Sequence, residues 1–150
     1  MSLKDKIQDE MKTAMRAKDK AALRTLRAIK AAILLTETAE GRESGALSAD
    51  EDMKLLVKQA KQRRDSITQF QANGRDDLAA TEIEELEIIE RFLPKQMEEA
   101  ELKSEIEKIV AETGATTMKD MGKVMGMANK RFAGRADGKA ISMIVKQLLG

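Results

Sequence analysis

Apolar residues recur at spacings of three and four from Leu3 to Leu149, and a single proline, Pro94, interrupts them. That period belongs to one face of an α-helix. Nowhere do β-branched or aromatic residues alternate with polar ones between turn residues, which a half-buried strand requires. Ala, Leu, Ile and ten Met supply the apolar mass, against three Phe and neither Trp nor Tyr. This is the palette of packed helices. The expected fold class is all-α.

Helix boundaries follow from local chemistry. Ser2 with Asp5 and Ser48 with Glu51 read as capping boxes for the first and third helices, and Asp19 reads as the cap of the second. The second helix carries Leu23, Leu26, Ile29 and Ile33 on one side and is expected to reach about residue 40, where Gly41 suits a stop. Asn73-Gly74 ends the third helix and turns the chain into a fourth, over about residues 77–92. Pro94 has no amide hydrogen and disfavours a helical Leu93, so the domain boundary is placed beside it. The expected organisation is a four-helix N-terminal domain over 1–95 and a small three-helix tail over 96–150, with tail helices near 98–112, 118–132 and 139–149. Thr117 with Asp120 reads as a further capping box and Asp137 as the cap of the last helix.

The chain has no His and no Cys, which removes the commonest proton shuttles, metal ligands and strong nucleophiles. The Glu-rich fourth helix lacks the histidines of a di-iron bundle. Ser104 with Lys108 and Ser142 with Lys146 stand four apart but bring no oxyanion hole, and no GxxxxGK[ST] loop is present. A binding protein is therefore preferred to an enzyme, with no catalytic residue, metal or cofactor expected. No apolar run approaches a membrane span and MSLKDK lacks the core of a signal peptide, so no membrane association and a cytoplasmic location are expected.

Formal charge is +1, yet it is unevenly spread: residues 81–112 hold four basic against eleven acidic side chains, and residues 113–150 hold seven against two. In the basic tail, the segment 117–138 sorts by rotation into two faces. Relative to Lys119, Lys123 lies at about 40° and Lys130 at about 20°, while Met121, Val124, Met125 and Ala128 lie roughly 140–240° away. Gly126 falls inside the cationic stripe, leaving backbone unshielded there. Arg135 sits between Gly134 and Gly138 just ahead of a helix start, whose amides favour anions. Lys119, Lys123, Lys130, Arg131, Arg135 and Lys139 thus form a candidate surface for an RNA backbone. The alternative is a solvated face, with Gly134 and Gly138 allowing a tight turn capped by Asp137. A second stripe, Lys20, Arg24 and Arg27, either extends the RNA surface, is a solvent face or pairs with the acidic fourth helix.

Arg63 and Arg64 flank the apolar stripe of Ala60, Ile67 and Phe70, and a charge there needs a partner. A hairpin turning at Gly74 brings positions near 64 opposite the low 80s, so an ion pair from Arg64 to Glu82 or Glu85 is expected, as a register device.

KQRRDSITQF at 61–70, NGRDDLA at 73–79, RFLPKQ at 91–96 and the tail's DMGKVM and GRADG together resemble the GatB/YqeY family. The likeness is to stand-alone YqeY-like proteins, whose C-terminal part resembles the tail domain of the tRNA-dependent amidotransferase B subunit. It implies two helical domains and tRNA or another structured RNA as partner, with an aminoacyl-tRNA synthetase or an amidotransferase subunit as a possible protein partner. It also implies a role accessory to aminoacylation or transamidation. A glutamine-dependent carbon–nitrogen ligase activity is the enzymatic alternative, and a protein adaptor using Met118 and Met127 is the other. Glu98 departs from the serine-type cap expected at its position.

Overall fold

A computed structural model describes residues 1–43 and 45–150. Among them stand seven α-helices, one short 3-10 turn and no strand. The chain divides into two compact units, Met1–Leu93 and Pro94–Gly150.

The first unit comprises α1 (Leu3–Ala17), α2 (Lys20–Glu37), α3 (Ala49–Ala72) and α4 (Asp76–Glu90). Ser2 and Ser48 form the two reciprocal capping boxes, and the Asp19 carboxylate accepts from the Ala22 amide at 3.0 Å. Ile7, Leu26, Ile29, Ile33, Leu56, Ala60 and Ile89 make the core, all at most 3% exposed. Thr25 is buried with them and donates its hydroxyl to the Ala21 carbonyl, so that hydroxyl is not stranded. The second helix stops at Glu37, short of the expected residue 40. Thr36 and Thr38 donate hydroxyls to the carbonyls of Ala32 and Leu34, and Gly41, at φ +82°, lies in the connection beyond. Arg42 then braces that connection, holding both carboxylate oxygens of Glu51 and the carbonyls of Glu43 and Gly45 at 3.0–3.1 Å.

α3 and α4 form a hairpin through Gly74, whose φ of +69° suits a residue without a side chain. The pairing expected of Arg64 is corrected here. Arg63, not Arg64, meets Glu85 at 2.8 Å and Glu82 at 3.5 Å, and Glu85 also receives Arg24 of α2 at 3.0 Å. Arg64 reaches Glu90 at 3.3 Å instead. One residue along a helix turns about 100°, which carries Arg64 out of the groove and to the edge of the hairpin. The Arg63 side chain is 18% exposed and that of Glu85 13%. Despite the short contact, Arg63 Nε lacks an aligned acceptor, so the contact is an ion pair rather than a directed hydrogen bond. Arg24 also lies 3.7 Å from Glu84, which assigns it to the acidic fourth helix and not to an extended basic surface.

The second unit comprises α5 (Glu99–Thr113), a 3-10 turn (Met118–Asp120), α6 (Met121–Arg131) and α7 (Gly138–Leu149). Its core joins Leu102, Ile106 and Ile109 of α5 to Val124 and Ala128 of α6, Phe132, and Ile141 and Val145 of α7. Glu98 precedes α5 without a side-chain cap bond, and Glu99 and Glu101 place negative charge at the start of that helix instead. Pro94 opens the unit. The segment after it is stitched to the α6–α7 connection: Gln96 Nε2 donates to the Gly134 carbonyl at 2.7 Å, and the Met97 amide donates to the Arg135 carbonyl at 2.9 Å.

Candidate nucleic-acid interface

α6 buries Val124 and Ala128 completely and half-buries Met121, Met125 and Met127. Its opposite side exposes Gly122, Lys123, Gly126, Asn129 and Lys130. The apolar and cationic faces thus separate as rotation requires. The start of the segment differs from expectation, because residues 118–120 form a 3-10 turn before α6 begins at Met121. Thr117 Oγ1 accepts from the Lys119 amide at 3.4 Å, while Asp120 accepts from the Thr116 amide at 3.1 Å. The reciprocal Thr117–Asp120 box is therefore absent: the tighter turn carries the Asp120 carboxylate to Thr116 instead of back to the cap.

The six basic residues fall into two groups. Lys119, Lys123, Lys130 and Lys139 are exposed and take part in no ion pair among the described residues. Lys123 and Lys130, seven residues apart, stand about 10 Å apart along the helix axis, close enough to act on one polyanion together. Arg131 and Arg135 are engaged by α5. Arg131 grips Glu112 through both terminal nitrogens, the shorter contact being 2.6 Å, and Arg135 lies 3.5 Å from Glu101. Donation from Arg131 holds the Glu112 carboxyl below its ordinary range, and the same contact raises Arg131. Arg135 also donates to the Lys95 carbonyl at 3.4 Å.

The loop between α6 and α7 is built for structure. Gly134 adopts φ +77°, a region costly for a side-chain-bearing residue. Gly138 has an ordinary backbone and begins α7, so it meets no such demand. Asp137 caps α7 by accepting from the Lys139 amide at 3.3 Å. Its carboxylate occupies the helix start where an anion was expected. Among the described residues no group of His, Cys, Asp or Glu is arranged to hold a metal ion, and no helix is long and apolar enough to cross a membrane.

Sequence reasoning missed Gly122, Asn129 and Gln96. Gly122 carried a legible signal, since it stands four residues from Gly126 on the same exposed face. A Cβ built at either glycine meets nothing within 4 Å, and neither has a positive φ. Packing inside the chain therefore does not require glycine there, while a helix-interior glycine costs about 1 kcal/mol relative to alanine. Gly126→Ala is expected to stabilise the tail by about 0.5–1 kcal/mol, read as a higher melting temperature. If a ligand approaches that backbone closely, the same substitution weakens its binding.

A family model described as Yqey-like protein matches residues 4–149. Curated relatives carry the name altered inheritance of mitochondria protein 41, mitochondrial. The one from Pyrenophora tritici-repentis is 30% identical over 150 residues, covering 97% of this chain and 80% of that protein. The one from Clavispora lusitaniae is 39% identical over 84 residues, covering 56% of this chain and 47% of that protein. One from Saccharomyces cerevisiae is 34% identical over 97 residues, covering 64% and 51%. The chain thus spans about half the length of the latter two. These names overturn the expectation of a cytoplasmic location. The absence of long apolar runs, on which it rested, does not separate one aqueous compartment from another. With the match spanning nearly every residue, the chain belongs to the Yqey-like protein family.

Proposed function

We propose that the C-terminal unit binds tRNA or a similarly structured RNA, and that the chain serves aminoacylation or transamidation as an accessory and not as the catalyst. The observation carrying this reading is the exposed face of α6, where Lys123 and Lys130 share the surface with side-chain-free backbone at Gly122 and Gly126, with Lys119 in the turn before it and Lys139 at the start of α7, none of the four lysines in an ion pair among the described residues. Lysines on a flexible stem hold phosphates by charge, and a bare helix surface admits a phosphate backbone closely without reading bases. Arg131 and Arg135 form the rim, restrained by Glu112 and Glu101.

The reading is tested by titrating the full chain, freed of nucleic acid, into fluorescent tRNA. Glu112→Gln deletes a negative charge at the rim and releases Arg131, so affinity should rise about threefold. Unchanged or weaker binding by this variant contradicts the reading.

A protein adaptor for a synthetase or amidotransferase subunit is the second reading, favoured by an apolar groove of about 340 Å³ between α5 and α7 whose lining includes Met97, Leu102 and Met143. Met143 is 56% exposed and Met118 44% exposed, while Met127 packs against the core. Capture of such a subunit from nuclease-treated extract, lost on Met143→Asp, would favour the adaptor over RNA.

A further inference from the structure

The outer face of α2 carries exposed apolar side chains that the core does not use. Leu35 is 74% exposed and Leu34 41%. Beside Leu35 a cavity of about 490 Å³ opens between α2 and α3, floored by Ala32, Leu35 and Leu55 and edged by Lys54 and Lys58. A leucine so exposed on a helix, next to an open apolar groove, is a knob beside a hole.

Charge decides the occupant. Along the exposed side of α2 the N-terminal half is basic, with Lys20 and Arg27, and the chain just past its C-terminal end is acidic, with Glu40 and Glu43. Among the described residues none of these four takes part in an ion pair, in contrast to Arg24 and Glu37, which are held by Glu85 and Lys4. A surface basic at one end and acidic at the other, with apolar residues between, is complementary to itself when turned by a two-fold axis. We infer that a second copy of this chain docks there, α2 against α2 in antiparallel sense. With the axis level with Ile33 and Leu34, Arg27 of each copy faces the chain just past the end of the other copy's helix, in reach of Glu40, and Leu35 faces Ala32 of the other copy. Leu35 of each copy seats toward the other's groove. A parallel arrangement would set like charges together and is disfavoured.

Sedimentation equilibrium of the full chain, freed of RNA so that nucleic acid cannot bridge copies, tests this. A reversible dimer with a Kd on the order of 10–100 μM at low salt is expected for an interface of this kind. Leu35→Asp, on an exposed site and with helix content checked by circular dichroism, should leave monomer at every concentration. Arg27→Glu and Glu40→Arg should each weaken the dimer by about tenfold, and the two together should restore it to within roughly threefold. A wild-type chain that stays monomeric to 200 μM, on the order of ten times the tighter expected Kd, overturns the proposal. So does a dimer indifferent to Leu35→Asp, or single charge reversals that the double variant fails to rescue.

Discussion

Replacing Lys123 and Lys130 together with glutamate is expected, on the proposed RNA-binding reading, to lower affinity for folded tRNA by about 100-fold at moderate salt, with helix content unchanged. Each reversal removes one attraction to a phosphate and adds one repulsion, on the order of tenfold apiece. Both side chains are exposed and neither carries an ion pair among the described residues, so folding has little stake in them. Lys103 of α5 and Lys146 of α7 are equally exposed lysines of the same unit outside the α6 face. Reversing that pair is the control for net charge, and it should cost several times less. Fluorescence anisotropy with labelled tRNA gives both numbers. If the two double variants bind alike, general positive charge rather than the α6 face governs binding.

Glu85→Ala is expected to destabilise the first unit by about 2 kcal/mol, and Arg64→Ala by well under 1 kcal/mol. Glu85 is the carboxylate that both Arg24 and Arg63 approach, at 3.0 and 2.8 Å, and its side chain is 13% exposed. Without it Arg63 keeps only Glu82 at 3.5 Å and becomes a poorly compensated charge in the hairpin groove. Arg24 is half exposed, so its share is screened by solvent, which holds the figure below that of a fully buried pair. Arg64 and Glu90 are 30% and 36% exposed and water replaces either readily. Thermal unfolding should show Glu85→Ala melting on the order of 10 °C below the wild type, for a unit of this size. Equal melting points for the two variants would show that the groove does not depend on its charges.

The contrast between Arg63 and Arg64 marks how far the sequence is legible. Caps at Ser2, Asp19, Ser48 and Asp137 are bonds within three residues, so local spacing determines them and the structure contains each one. The all-α class and the two faces of α6 follow from periodicity alone, which survives whatever the helices pack against. Pairings between helices require the rotation of each about its axis, and an error of one residue swaps the buried arginine for its neighbour. The same limit hid the restraint on Arg131 and Arg135, whose carboxylate partners lie on α5, a separate helix. It also hid Gln96, whose partner is the Gly134 carbonyl 38 residues away. The exposure of Lys123 and Lys130 opposite the apolar face of α6 was legible because helix periodicity alone sets it.

The most direct test of the account is the slope of the logarithm of the tRNA association constant against the logarithm of salt concentration, measured for the full chain. Four lysines that each displace a counterion predict a slope of about −3 to −4, shrinking by about two units in the Lys123 and Lys130 double variant. A slope near zero, or one that the double variant leaves unchanged, would contradict an electrostatic RNA interface on α6.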